Sequence, residues 1–317
     1  MRTLIGMFGF TPEQEKQIRS AVPGWNVVFG KPKELDPALF REAEVICGWA
    51  KEAEAEALRP DAKLRWVQAG SAGIDYLPLG KLEEKGVVVT DASGVHPVPM
   101  AETVFAMLLA FGRKLHRAIR LQAERRWDHS DAYGELRGKT IGIVGAGEIG
   151  AEVARLAQAF GMRVLGVRRS GRPAPHVDRM FAPEGLDEVV SASDVIVNIL
   201  PHTKETVRLF DAGRFARMKP TAFFINVGRG SAVDTAALTE ALRQGRIAGA
   251  GLDVFEEEPL PEDHPLWGID NVIITPHIGG ATERYKERLA ELFAANLRAY
   301  VATGRPARNV VDYRLNY

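Results

Sequence analysis

Three polar side chains in the second half of the sequence have the types and settings that proton transfer on a small organic anion requires. Arg229 stands in FFINVGRGS, Glu258 in GLDVFEEEP and His277 in VIITPHIGG, each just beyond an apolar run with strand character. In an open parallel sheet the ligand crevice lies outside the carboxyl ends of the strands, so groups from three strand ends can meet in one pocket. A 2-oxo acid there needs its carboxylate held and its ketone polarised, and the forked donors of a guanidinium do both. Reduction of the ketone leaves an alkoxide that needs a proton, which His277 can supply and, in the reverse direction, remove. Glu258, if it hydrogen-bonds the second ring nitrogen, fixes the tautomer and favours the protonated ring. Taken singly, each has a plainer reading: a surface ion pair, a solvated acidic turn, a capped turn. The set together argues for chemistry, and the sequence contains no HExxH or CxxC spacing that would bring in a metal.

A cofactor site is written in TIGIVGAGEIG, which places Gly145, Gly147 and Gly150 in GxGxxG spacing. With 31 glycines in the chain that pattern alone is weak, but a strand pattern precedes it and EIGAEVARLAQAFG follows with helical spacing. In that setting Gly145 allows the tight turn, Gly147 lets the backbone approach a pyrophosphate, and Gly150 lets helix and strand pack closely. Glu148 and Ile149 open the helix, whose N-terminal amides and positive potential face the phosphates. The Glu148 side chain is expected in solvent. The next strand ends VLGVRRSG. Arg168 lies 23 residues after Gly145, near where such folds place an acid on the adenosine ribose. In place of an acid the chain offers Arg168, Arg169 and the hydroxyl of Ser170, which predicts recognition of a 2′-phosphate and preference for NADP. If one or both arginines point to solvent instead, either NADP or NAD is accepted.

The elements that must position these groups alternate along the chain. TLIGMFG, WNVVFG, EVICGW, LRWVQAG and GVVVTD read as strands separated by helical segments, and from residue 140 a second series of six runs from TIGIVGAG to NVIITPH. Such alternation predicts α/β architecture. The expected fold is two Rossmann-like or flavodoxin-like parallel-sheet domains. A nucleotide-binding domain (99–282) is inserted into a substrate domain (1–98 plus 283–317), to which the last helical segment returns the chain. Between the two series, HPVPMAETVFAMLLAFGRKLHRAIRLQAERRW reads as one long helix opened by prolines.

Equal counts of 41 basic and 41 acidic residues give no net charge, so no nucleic-acid or acidic-membrane partner is expected. No apolar run reaches bilayer length, and MRTLIGMFGF reads as a first strand rather than a leader. A single cysteine, Cys47, fits a reducing compartment, and a cytoplasmic protein is expected.

With these residues assembled, the chain resembles the D-isomer-specific 2-hydroxyacid dehydrogenases over nearly its whole length. GKTIGIVGAGEIG, LPHTKET, FFINVGRGSAVDTAAL, AGAGLDVFEEEP and PLWGIDNVIITPHIGGAT look like that family's landmarks in order. The resemblance implies an oxidoreductase of the glyoxylate/hydroxypyruvate reductase-like branch, with Arg229, Glu258 and His277 as the substrate arginine, the histidine's partner and the acid/base. It also implies that Pro201, Thr206, Val227, Gly228, Asp253 and Gly279 border the cofactor and that Thr103 lies near the nicotinamide. In QAGSAGIDYL, Ala72 and Gly73 match the loop whose amides hold the substrate carboxylate. Trp49 lies near another substrate-facing loop of some relatives, with ordinary packing of a large aromatic as the alternative. Relatives are commonly homodimers, a role the long helix and RRWDHSDAYGEL can serve. Formate dehydrogenases carry glutamine where Glu258 stands, which argues against that branch. Two relatives share the triad and stay open: a dinucleotide-sensing regulatory protein and an enzyme that oxidises another small anion such as phosphite.

Overall fold

The computed structural model describes residues 1–130 and 132–314. In chain order its first strands and helices are β1 (Thr3–Gly6), α1 (Pro12–Ala21), β2 (Asn26–Phe29), α2 (Pro37–Glu42), β3 (Ala43–Cys47), α3 (Lys51–Ala57), β4 (Trp66–Gln68), α4 (Leu79–Glu84) and β5 (Val88–Thr90). Next come α5 (Pro97–Gly112), α6 (Leu115–Ala123), β6 (Thr140–Val144), α7 (Glu148–Ala159), β7 (Arg163–Val167), β8 (Arg179–Phe181), α8 (Leu186–Ala192) and β9 (Val195–Asn198). The chain then forms α9 (Ala212–Arg217), β10 (Phe223–Asn226), α10 (Thr235–Arg243), β11 (Gly249–Leu252), β12 (Val272–Ile274) and α11 (Tyr285–Thr303). Two compact units result: Met1–Val95 with the segment from Thr282 on, and His96–Ala281. The units divide at residues 95/96 and 281/282, a few residues from 98/99 and 282/283. Leu315–Tyr317 lie outside the described residues, as does Asp131 within RRWDHSDAYGEL.

In the first unit the strands run parallel in the order β2-β1-β3-β4-β5. Local signals start its helices. Thr11 accepts from the Gln14 amide, the Gln14 side chain returns the bond to the Thr11 amide, and Pro12 fills the first turn of α1. The return helix α11 lays Leu289, Phe293 and Leu297 into one core with Leu4, Val45 and Trp66. The Trp66 ring meets Phe293 at 5.4 Å between centroids, while its Nε1 donates to Thr90 Oγ1 at 2.8 Å.

The second unit's strands are also parallel, in the order β12-β11-β10-β9-β6-β7-β8. Chain direction across this sheet reverses between β6 and β9, so the carboxyl-end crevice opens there. Both faces are covered, which is why these strands read as unbroken apolar runs. Along β10, Phe224 enters one core with Phe210 and Phe215, and Ile225 enters the core on the opposite face.

Three sequence expectations change. The long helix after residue 97 is two helices, because Lys114 adopts a left-handed φ of 54° and α6 starts afresh at Leu115. The strand β8 went unseen: three residues on the sheet edge carry too little pattern to read. The last helix begins at Tyr285, four residues later than ATERY suggested. No helix among the described residues is long and apolar enough to cross a membrane.

Phe224 is fully buried, with Phe210 at 4.9 Å and Phe215 at 5.4 Å between ring centroids. Phe224→Ala should therefore lower the second unit's stability by about 3–5 kcal/mol, read as an earlier urea-unfolding midpoint.

Candidate active site

The glycine turn closes on backbone. Gly145 has φ +97°, and its amide and that of Ala146 both donate to Val167 O, at 2.9 and 3.0 Å. A Cβ at Gly145 would lie 2.9 Å from the Ile199 carbonyl carbon, and one at Gly150 would lie 3.0 Å from Gly145 O. Both glycines are thus required by the protein itself. Gly147 differs. Its φ of −88° is not left-handed, and a Cβ there would meet nothing within 4 Å. Packing does not ask for glycine at 147, and the open space beside it leaves room for close approach of a ligand. Gly147 is also the residue before α7, and it offers no side chain to cap the first-turn amides. The turn therefore fits a dinucleotide's pyrophosphate, and Glu148 is exposed as expected.

At the end of β7 the two arginines part ways. Arg168 turns back along its own loop, where Nη2 donates to Pro173 O at 2.7 Å and Nε is buried without a partner. Arg169 is exposed. The Glu205 carboxyl is held below the usual carboxylate range by a hydrogen bond from Thr203, with the charge of Arg169 a smaller contribution. The Ser170 hydroxyl accepts from the Arg172 amide at 3.4 Å.

Two asparagines staple the next strand ends. Asn198 closes β9 and Asn226 closes β10, and Asn198 Nδ2 donates to Asn226 Oδ1 at 2.9 Å with both residues buried. Asn226 Oδ1 also accepts from the Gly228 amide, and its Nδ2 donates to Arg229 O at 3.2 Å. The turn bearing Val227, Gly228 and Arg229 is thereby fixed against the one bearing Pro201. A Cβ at Gly228 would sit 2.7 Å from Leu200 O. Thr206 closes the Pro201 turn, its hydroxyl donating to Pro201 O at 2.8 Å and accepting from the Thr203 amide at 2.8 Å. The Arg229 Nη1 donates to Gly228 O at 2.9 Å.

Beyond β11 and β12 the structure joins the remaining pair. His277 Nδ1 and Glu258 Oε2 are 2.7 Å apart, and the other Glu258 oxygen accepts from the Phe255 amide at 2.9 Å. A carboxylate at that distance favours the tautomer with its proton on Nδ1. His277 holds a left-handed φ of 54°, an unfavourable backbone for a residue with a Cβ. Asp253 is the reason it persists. Its buried carboxylate accepts from the Thr275 hydroxyl at 2.6 Å and from the amides of Ile278 and Gly279 at 2.9 Å each. Its backbone oxygen takes the His277 amide at 2.9 Å. Gly279 is pressed against the same carboxylate, and its carbonyl accepts from Thr103 Oγ1 at 3.2 Å.

Arg229, Glu258 and His277 thus follow three consecutive strands, β10, β11 and β12, of one sheet edge. In the first unit, Ala72 and Gly73 follow β4 and are half-buried. Trp49 follows β3, half-buried with its Nε1 unpartnered. The asparagine pair was missed in the sequence, although VIVN and FFIN both end apolar runs on the same polar residue.

Residues 105–279 match the model of the family described as D-isomer specific 2-hydroxyacid dehydrogenase, NAD binding domain. The chain belongs to that family. A glyoxylate reductase of Thermofilum pendens is 36% identical over 269 residues, 83% of this chain and 79% of the relative. A D-isomer specific 2-hydroxyacid dehydrogenase family protein of Aeromonas salmonicida superposes with a TM-score of 0.85 at 36% identity, covering 98% of this chain and 99% of that one. A D-isomer specific 2-hydroxyacid dehydrogenase of Xanthobacter autotrophicus, solved with NADPH and MES, gives 0.82 at 31% identity, covering 100% and 99%. The two parallel-sheet α/β domains are those of 2-hydroxyacid dehydrogenases, and the chain is an NAD(P)-dependent enzyme of that family.

The bonds to Asp253 define how a 2-hydroxyacid dehydrogenase of this sequence holds its histidine loop. Asp253→Asn turns one acceptor into a donor facing a backbone N–H. Stability should fall by about 1–3 kcal/mol. Hydrogen exchange at Ile278 and Gly279 should quicken, and unchanged exchange there would contradict the assignment.

Proposed function

We propose that this chain reduces a small 2-oxo acid, such as glyoxylate or hydroxypyruvate, to the D-2-hydroxy acid, and that it prefers NADPH to NADH. The carrying observation is the 2.7 Å contact of His277 with Glu258 on strand ends next to that of Arg229. Arg229 takes the substrate carboxylate and polarises the ketone. The dinucleotide, when bound, supplies the hydride that the carbonyl carbon accepts. His277 Nε2 delivers its proton to the resulting alkoxide oxygen, and Glu258 balances the imidazolium charge and holds the ring in place. In the oxidative direction the neutral ring takes that proton back. Exposure of His277, 55% of its side chain, leaves Nε2 within reach of a substrate. Ala72 and Gly73 offer backbone amides to the carboxylate, with Trp49 beside the substrate.

The cofactor is held by Gly145, Gly147, Gly150 and the first-turn amides of Glu148 and Ile149. Pro201, Thr206, Val227, Gly228, Asp253, Gly279 and Thr103 border it, Asp253 through the backbone it fixes. On this reading residues 96–281 form the nucleotide domain and the first unit binds substrate. NADPH preference is supported by the absence of an acid after β7, by Arg168, Arg169 and Ser170 in its place, and by a relative solved with NADPH. A homodimer is supported by exposed Leu115, Ile119, Trp127 and Tyr133 on and after α6. A cytoplasmic setting is supported by the single buried thiol of Cys47.

Oxidation of NADPH should be followed spectrophotometrically with a panel of 2-oxo acids, and a panel giving no more turnover than Arg229→Ala sinks the reading. His277→Ala should lower kcat about 10²–10⁴-fold with dinucleotide affinity unchanged. Charge-assisted hydrogen bonds contribute about 1.5–3 kcal/mol each, so kcat/KM should favour NADPH about tenfold or more. Arg168→Asp should reverse that order, and equal efficiencies in the parent would overturn the preference.

A further inference from the structure

The loop after β4 is gripped from an unexpected direction. Gly70, two residues before Ala72, does not have a left-handed backbone, yet any side chain there would displace its neighbours. A Cβ would lie 2.3 Å from Phe8 Cζ and 2.7 Å from the Tyr285 hydroxyl. Two phenols close on this glycine. Tyr285 donates its hydroxyl to Gly70 O at 2.6 Å, and the Gly70 amide donates to the Tyr76 hydroxyl oxygen at 3.4 Å. The Phe8 ring stands edge-on to Tyr285, 6.2 Å between centroids.

Tyr285 is a firm support because it is the first residue of α11. Lys286 Nζ donates to Gly9 O at 2.7 Å and Arg288 Nη1 to Val95 O at 3.1 Å, while Leu289 and Phe293 are fully buried. Burial also pushes both phenols, Tyr285 and Tyr76, above their ordinary range, so Tyr285 stays a hydroxyl donor near neutral pH. The Gly70 carbonyl and the Ser71 amide belong to one planar peptide, so fixing the carbonyl fixes the direction of the amide opposite it. Downstream, Ser71 Oγ donates to Gly73 O at 2.5 Å and Ser71 O accepts from the Ala92 amide at 3.0 Å.

We infer that Tyr285 is a positioning residue for the substrate, its hydroxyl setting the Gly70–Ser71 peptide and through it the Ala72 and Gly73 amides that receive the carboxylate. The inference rests on the proposed role of those two amides. It adds a residue from the far end of the chain that touches neither substrate nor cofactor.

Tyr285→Phe removes one oxygen and keeps the ring packed on Phe8. With the full-length enzyme, KM for the 2-oxo acid should rise about tenfold, the effect of losing one good hydrogen bond. Both kcat at saturating acid and NADPH affinity should stay within about twofold. Amide exchange at Gly70 and Ala92, whose bonds to Tyr76 and to Ser71 O hold this loop, should quicken, a readout that needs no turnover. Tyr76→Phe, losing a longer bond, should do less. An unchanged KM beside an active parent overturns the inference and leaves the proposed reaction standing. Exchange at Gly70 and Ala92 unchanged from the parent overturns it whatever the activity. Failure of the parent on every 2-oxo acid, with exchange still quickened by Tyr285→Phe, removes the substrate reading and with it the inference's functional half.

Discussion

Every strand of the second unit is covered on both faces, and that burial dictates where polar chemistry can occur. Inside the sheet the backbone groups satisfy one another, but at each carboxyl end the ladder stops and the chain turns beneath packed layers. Polar groups left there without partners would cost about 1–3 kcal/mol each. The chain answers with side chains that mimic the missing ladder. Asn198 and Asn226 bridge β9 to β10, and Asp253 collects the Thr275 hydroxyl and two amides beyond β12. Because these side chains are themselves buried, the turns they hold have little freedom. The groups riding on those turns, Arg229 and His277, inherit that rigidity.

Crowding at the same edge explains the glycines. A Cβ at Gly230 would fall 1.9 Å from the Phe255 carbonyl carbon, and one at Gly228 would meet the backbone of Leu200. Main chains from neighbouring strand ends therefore lie against each other with no side chain between. Such contact leaves one arrangement of the Arg229 turn, as the asparagine pair does from the other side. The left-handed backbone of His277 belongs to this economy: of order 1–3 kcal/mol of strain is tolerated because surrounding bonds over-determine the loop. What the strain achieves is local, placing the imidazole 2.7 Å from Glu258 across 19 residues of sequence.

Much of this was legible beforehand because it is local in sequence. The glycine turn, the strand ends and the polar residues following them are read from a dozen neighbouring residues at a time. Strand order then places Arg229, Glu258 and His277 on one edge, since β10, β11 and β12 are consecutive in both chain and sheet. Less legible was what depends on single torsions or distant partners. Nothing in GRKLH announces that Lys114 will turn left-handed and split a helix. The three residues of β8 are too few for a period. The roles of Asn198 and Asn226 need pairing in register, which the apolar pattern before them does not reveal. Tyr285 reading onto Gly70 spans 215 residues, beyond any local pattern.

The end of β7 shows how a legible feature can still change meaning. From the sequence, Arg168 and Arg169 are two equivalent cations at a strand end that carries no acid. In the structure they are unequal. Arg168 bends onto Pro173 O and buries an Nε that finds no partner, while Arg169 stays exposed. A buried unpaired donor is expensive, and a loop keeps one more readily when a bound acceptor completes it or when the bend organises the chain around it. The bend onto Pro173 O does the second, with Arg168 shaping the turn and Arg169 left at the surface. For the proposed NADPH preference the missing acid matters as much as either cation, because a carboxylate at this strand end would repel a 2′-phosphate. The end of β7 thus carries two cations and no acid, whereas beyond β11 Glu258 pairs with the histidine.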